Sequence, residues 1–101
     1  MIRSFADQAT ADLFAGRHTR ANRHAESVWG VARRKLQALD AACVLGDLTI
    51  PPGNRLEALD GRRAGQHSIR VNDQYRLCFA WTVDGPESVQ FVDYHDERRG
   101  G

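Results

Sequence analysis

Three ionisable side chains stand together near the end of the chain, in the run Asp93-Tyr94-His95. The residues before them alternate between polar and apolar from Ser88 to Phe91, which predicts a β-strand that ends at this run. Histidine is the side chain whose ordinary pKa already lies where proton transfer at neutral pH is efficient. The run therefore indicates a candidate acid–base site. The spacing is equally compatible with a structural role, in which Tyr94 packs against the sheet and His95 is solvated.

Other kinds of site are disfavoured by the sequence. The four histidines form no helical i, i+4 pair and have no cysteine pair beside them, which argues against zinc. A phosphate-binding loop is not indicated, because Gly61 and Gly65 are not followed by lysine and a hydroxyl residue. Cys43 and Cys78 are both predicted to be packed thiols within regular elements. We therefore expect neither a metal nor another cofactor.

Charge is unevenly distributed along the chain, although 14 basic and 13 acidic residues leave a net charge of only +1. Six cations and one acid lie between residues 17 and 35, five cations and three acids lie between residues 55 and 76, and the segment after residue 83 is acidic. Thirteen of the cations are arginine, whose planar fork of donors matches phosphate. A basic body of this kind suits a polyanionic partner. A solvated helix face or a codon bias toward arginine accounts for it equally well.

Two helices are predicted in the first half of the chain. The first is capped by Asp7 or Thr10, runs to Phe14 and is ended by Gly16. The second covers residues 24–43, because apolar residues recur there at helical spacing on one face. The members of that face are Val28, Ala32, Leu36, Leu39 and Cys43.

The side chains of the second predicted helix are expected to divide between the core and solvent. Cys43 is predicted to be a small core residue at the end of the apolar face. Arg33 and Asp40 are predicted to point away from the core, on the opposite side of the helix.

A β-meander is predicted in the second half. Residues 51–54 form a turn and residues 68–71 a strand, and Asn72-Asp73 is expected to be a two-residue hairpin turn. On the next strand the core face is shared by Tyr75, Leu77, Phe79 and Trp81. The opposite face of the sheet, which carries Arg70 and Arg76, is expected to point outward. Residues 88–94 form the last strand. Residues 2–5 are expected to form a short edge strand.

The order of these elements predicts an α+β fold, with an N-terminal strand and two helices packed on one face of a mainly antiparallel sheet of four to five strands. The 101 residues are expected to form a single domain over residues 1–101. No apolar run approaches the length of a membrane span or of a secretory signal, so a cytoplasmic protein is expected. The uncovered face of the sheet is then available for binding.

Four segments of the chain resemble the HigB branch of the RelE/ParE toxin superfamily. They are the opening Met1-Ile2-Arg3-Ser4-Phe5, the turn Pro51-Pro52-Gly53-Asn54-Arg55-Leu56, the central block from Gly65-Gln66-His67-Ser68-Ile69-Arg70 to Phe79, and the terminal Asp93-Tyr94-His95. They occur in the order of the family and cover nearly the whole chain, with the weakest similarity between residues 14 and 24. The element order of the family agrees with the RelE-like α+β fold predicted above.

The resemblance implies a toxin of a type II toxin–antitoxin system. Relatives enter the ribosomal A site and cut messenger RNA there as metal-independent endoribonucleases. Their partner is a helix-turn-helix, HigA-like antitoxin. The catalytic motif of the family falls on Arg76, Asp93, Tyr94 and His95. His95 would act as general acid or base and Arg76 would hold the phosphate in a bidentate fork, while Tyr94 would stack or orient and Asp93 would support His95.

This sequence departs from the family at three positions. The family carries histidine or lysine in the segment where this chain has Glu57 and Asp60, and Ala80 stands where relatives are often basic. Glu57 is a candidate base, whereas Asp60 would repel phosphate, so Asp60→Lys is expected to raise cleavage.

The arginines in this half of the chain are the candidates for RNA binding: Arg55, Arg62, Arg63 and Arg70. Arg62 and Arg63 directly follow Asp60 and would compensate for its charge. Two alternatives remain open, a ParE-like inhibitor of DNA gyrase and a weak or inactive homologue that mainly binds its antitoxin.

Overall fold

The computed structural model describes residues 1–94, in which a four-stranded antiparallel sheet of order β1-β2-β3-β4 forms one layer. The strands are β1 (Glu57–Ala58), β2 (Gln66–Arg70), β3 (Tyr75–Thr82) and β4 (Gly85–Asp93). Each strand pairs with the next along the chain, so the predicted meander is confirmed. With two helices on one side of this sheet, the predicted α+β fold is confirmed as well.

The first helix, α1 (Gln8–Ala15), begins after Asp7, one of the two predicted caps, and extends one residue beyond the predicted end at Phe14. The Asp7 side chain accepts a hydrogen bond from the Thr10 backbone N at 2.8 Å, which satisfies one of the unpaired donors of the first turn. Gly16 ends the helix with φ +81°, a left-handed conformation that glycine adopts without a steric penalty.

The second helix, α2 (Trp29–Ala41), is shorter at both ends than predicted. Residues Arg23–Val28 form a 3₁₀ helix instead of the first α-turns, and the backbone becomes extended at Ala42 (ψ 132°). Because the helical period stops there, the buried position passes to Ala42, which is 8% exposed. Cys43 is exposed, so its predicted core position is wrong.

Two polar residues on α2 that were predicted to face solvent bind other parts of the fold. The guanidinium of Arg33 donates to the backbone O of Leu13 at 3.1 Å and of Phe14 at 3.2 Å, in the last turn of α1. The Asp40 carboxylate accepts from the backbone N of Ile2 at 2.8 Å. Both side chains are half-buried instead of facing solvent, because each binds a backbone group of a neighbouring segment.

The N-terminal segment follows β4 without forming the predicted edge strand. Phe5 makes an isolated parallel bridge to Val89, supported by a hydrogen bond from Val89 N to Ser4 O at 3.1 Å. The cap of α1 follows directly, which leaves no room for a longer ladder. At the start of β4, a side chain on Gly85 would place its Cβ 2.4 Å from the backbone O of Met1, so this close approach requires glycine.

The core lies between the helices and one face of the sheet. It contains the apolar positions predicted from alternation on all three longer strands, together with the helical positions, among them Leu13, Leu36, Leu39, Ile69, Leu77, Phe79, Val89 and Phe91. The β2–β3 connection spans residues 71–74 rather than two, because Asn72 Oδ1 accepts from the backbone N of both Gln74 and Tyr75 and widens the turn. Within residues 1–94, neither helix has the length and apolarity that crossing a bilayer requires.

Candidate active site

Arg76 lies at the centre of the sheet face that the helices leave uncovered. Alternation along β3 correctly places it opposite the core, but its expected exposure is wrong, since only 4% of the residue is accessible. Its Nε donates to the Ser68 hydroxyl at 2.8 Å, and its Nη2 donates to the backbone O of Arg55 at 2.5 Å. A guanidinium can be buried only with such partners, so these contacts fix it in place.

Glu57 and Tyr94 complete a cluster around this guanidinium. Glu57 Oε1 lies 3.5 Å from Arg76 Nη1, and its Oε2 lies 3.5 Å from the Tyr94 hydroxyl, at the outer limit of a hydrogen bond. The Arg76 Cζ lies 5.0 Å from the centre of the Tyr94 ring, within the range of a cation–π contact. We refer to Glu57, Arg76 and Tyr94 as the Arg76 cluster.

The three members of the cluster come from segments that are distant in sequence. Glu57 is on β1 and pairs with Ser68 on β2, which in turn pairs with Cys78 on β3. Tyr94 directly follows β4, and its backbone N donates to Gln74 O at 2.6 Å. The pairing of β1 and β4 with the inner strands therefore brings the carboxylate and the phenol together over Arg76.

An open cavity of about 310 Å³ lies beside the Arg76 cluster. Its walls contain three arginines and two carboxylates, and the residues that line it are Arg55, Glu57, Arg70, Asn72, Asp73, Arg76 and Tyr94. The guanidinium groups outnumber the carboxylates by one, and the arginine fork has a geometry that suits phosphate.

Arg70 is half-buried in the cavity wall and carries its own counter-ion. Its Nη2 contacts Asp73 Oδ1, and the Asp73 side chain is 98% exposed. Lys35 on α2 lies close enough to feel this charge: burial, followed by repulsion from Arg34 and Arg70, lowers the pKa of Lys35. Lys35 and Arg70 therefore lie close enough to repel each other.

Three other predicted site residues do not line the cavity. Asp93 Oδ2 accepts from Gln74 Nε2 at 2.9 Å, and Asp93 does not line the cavity. Arg63 connects two strands, because it donates to Gln66 Oε1 and Gln90 Oε1, both at 2.9 Å. Arg62 is exposed and lies outside the cavity lining. His95 lies outside the described residues.

Three residues that line the cavity or bind Arg76 were not identified as site residues from the sequence. Only the strand register shows that three further residues lie beside the site: Ser68, Asn72 and Asp73. Ser68 and Arg70 share the alternation of the uncovered face, so a search for polar residues on that face would have found Ser68. Within residues 1–94, no three histidine, cysteine, aspartate or glutamate side chains gather as a metal site would need.

The bidentate phosphate grip expected of Arg76 does not match its orientation. The edge formed by Nε and Nη2 is turned toward Ser68 and the Arg55 carbonyl, and Nη1 is the nitrogen that faces Glu57. The cluster thus offers a single cationic donor, a carboxylate that can accept a proton and a phenol that can donate one. These groups suit acid–base chemistry beside a bound anion.

The chain is similar in sequence to known proteins. The sequence model of a family described as "RelE-like toxin of type II toxin-antitoxin system HigB" matches residues 3–95. "Toxin HigB-1" of Vibrio cholerae is 56% identical over 62 residues, which is 61% of this chain and 64% of that protein. An uncharacterized protein of Haemophilus influenzae is 40% identical over 69 residues, 68% of this chain and 67% of its own length. Since the family model spans nearly the whole chain, the chain belongs to the HigB-like, RelE-like toxins of type II toxin–antitoxin systems.

Proposed function

We propose that this chain is a toxin that inhibits translation by cutting messenger RNA on the ribosome without a metal ion. The observation that carries the proposal is the Arg76 cluster, which gathers a carboxylate, a guanidinium and a phenol beside an arginine-lined cavity. His95 follows Tyr94 directly in the sequence and supplies an imidazole, the group that most often serves as general acid or base. Membership of the HigB-like family supports the same activity.

The proposed reaction uses the 2′-hydroxyl of the RNA as its nucleophile. The 2′-oxygen attacks the adjacent phosphorus, the bond from phosphorus to the 5′-oxygen breaks, and the products are a 2′,3′-cyclic phosphate and a free 5′-hydroxyl. Glu57 accepts the proton of the 2′-hydroxyl, His95 gives a proton to the departing 5′-oxygen, and Asp93 supports His95. Arg76 Nη1 offsets the charge that grows on the phosphate, where a preorganised donor has its greatest effect. Tyr94 orients the phosphate or stacks on a base.

The neighbouring arginines are proposed to hold the RNA backbone. Arg55 and Arg70 line the cavity and contact the phosphates on either side of the scissile one. Arg62, which is exposed, adds charge nearby, whereas the two strand-bridging bonds of Arg63 assign it to the framework. Each phosphate that these residues neutralise releases counter-ions, so binding weakens as salt rises.

An antitoxin is the second proposed partner. The type II family implies one, and we propose a helix-turn-helix protein of the HigA kind that binds the toxin and represses the shared operon. A small helix-turn-helix reading frame beside the gene of this chain would support that assignment.

The proposal is tested by mapping the 5′ ends of messenger RNA in cells that express the chain. We expect new 5′ ends inside translated frames, which disappear with His95→Ala and fall with Glu57→Gln and with Tyr94→Phe, which keeps the ring. Induced DNA damage without new 5′ ends would contradict the proposal and favour a ParE-like action on gyrase. Binding of the antitoxin without cuts or DNA damage would favour the inactive homologue.

A further inference from the structure

Ser68 is a fully buried polar residue on the uncovered face of the sheet, at 0% exposure. It lies in the middle of three paired strands, opposite Glu57 on β1 and Cys78 on β3. A hydroxyl in such a place costs free energy unless it makes a hydrogen bond. Its partner is the guanidinium of Arg76, whose Nε donates to the hydroxyl oxygen at 2.8 Å.

The same residue contacts the guanidinium a second time through its backbone. The Ser68 carbonyl O accepts a longer bond from Arg76 Nη2 at 3.4 Å, and Nη2 also donates to the Arg55 O at 2.5 Å. The Nε and Nη2 edge is therefore occupied within the protein. Nη1 is left toward the carboxylate of Glu57, 3.5 Å away.

The hydroxyl decides the plane in which the guanidinium lies. An arginine side chain can rotate about several single bonds. The backbone carbonyls of Ser68 and Arg55 accept hydrogen bonds from Nη2 and therefore fix the position of that nitrogen only. The bond to Nε adds a second fixed point, and two fixed points prevent rotation of the plane. Without it, the position of Nη1 depends on a long contact with the exposed Glu57 carboxylate and on the Tyr94 ring, which restrain it less.

We propose that Ser68 is a positioning residue of the site, which aims Nη1 of Arg76 at the scissile phosphate between Glu57 and Tyr94. This inference rests on the proposed RNA cleavage. It assigns to Arg76 a single-point contact with the phosphate rather than a bidentate one. Misplacement of a reacting group by about 1 Å costs on the order of 10²-fold in rate. Loss of the Ser68 hydroxyl therefore lowers kcat about 10- to 100-fold and changes KM little.

The orientation itself is tested by nuclear magnetic resonance on the full chain. We expect the Arg76 Nε–H to exchange slowly with solvent in the wild type and in Ser68→Thr, and rapidly in Ser68→Ala. The exposed Ser27 provides the matched control, since Ser27→Ala removes the same hydroxyl from the surface. An Arg76 signal that is equally protected in Ser68→Ala would overturn the inference.

Cleavage of messenger RNA on programmed ribosomes then tests the consequence. At a temperature well below the Tm of each variant, Ser68→Ala should show the predicted loss in kcat. Ser68→Thr should keep most of the wild-type kcat, and Ser27→Ala should match the wild type. Full turnover by folded Ser68→Ala would contradict a positioning role. Absence of cleavage by the wild type would refute the proposed function, and the Arg76 signal would still decide whether Ser68 holds the guanidinium.

Discussion

Replacing Arg76 by methionine should destabilise the protein strongly, because Arg76 is a structural centre of the uncovered face. The change keeps a long side chain and removes every donor. It leaves the Ser68 hydroxyl buried at 0% exposure, and it removes the contacts of Nη2 with the Arg55 carbonyl. We therefore expect a large loss in the free energy of unfolding rather than a local effect.

The magnitude follows from the contacts. Hydrogen bonds from a charged donor contribute about 1.5–3 kcal/mol each and do not add fully. The ion pair with Glu57 adds little, since that side chain is 45% exposed and water screens it. The sum is about 2–4 kcal/mol for Arg76→Met, which for a domain of this size corresponds to a fall in Tm of roughly 10–30 °C.

Urea unfolding followed by tryptophan fluorescence measures this loss. Arg62→Met is the matched control, because Arg62 is exposed and the same substitution there should change the free energy by less than about 0.5 kcal/mol. An Arg76→Met protein as stable as this control would refute the view that the cluster is held by its buried guanidinium.

Three further predictions concern other parts of the molecule. A thiol reagent should modify Cys43 in the folded protein and reach Cys78 only in denaturant, because Cys43 is exposed and Cys78 is 1% accessible; simultaneous reaction of both would contradict this. Hydrogen bonds from the backbone N–H groups at residues 43 and 44 lower the pKa of Asp47 from 3.8. The stability that this carboxylate contributes is thus present above pH 3.8 and lost as the pH falls below that value. The difference in unfolding free energy between wild type and Asp47→Ala should therefore become smaller in acid. A difference that stays constant with pH would contradict this prediction. Asp73→Asn should release Arg70 from its counter-ion, tighten binding of single-stranded RNA at low salt and steepen its salt dependence by about one phosphate contact; an unchanged slope in salt titrations would show that Arg70 does not reach RNA.

Regular elements were predictable wherever one face is buried along several residues. On β3, Leu77 and Phe79 are both 0% exposed, as strict alternation requires. The cap at Asp7 and the end at Gly16 depend on local chemistry and were equally predictable. Cys43 was misplaced because periodicity cannot indicate where a helix stops, and the helix ends at Ala41.

The candidate site was less predictable, because its contacts depend on register among four strands. Glu57 and Tyr94 lie 37 residues apart in sequence, and only the resemblance to the toxin family singled out Glu57. Alternation placed Arg76 on the correct face but gave no sign that Ser68 and the Arg55 carbonyl bury it. The hydrogen bonds of Arg63 were unpredictable for a similar reason, since its two glutamine partners lie on β2 and β4.

Cleavage of a defined messenger RNA on purified ribosomes is the most direct test of the proposed nuclease activity. We predict a cut within the codon in the A site, with a 2′,3′-cyclic phosphate and a 5′-hydroxyl as products, in the presence of a metal chelator that leaves the ribosome intact. Glu57→Gln and His95→Ala should each abolish or greatly slow the cut. An intact messenger in the presence of folded wild-type protein would contradict the proposed activity. Cutting that persists undiminished in both variants would contradict the proposed roles of Glu57 and His95.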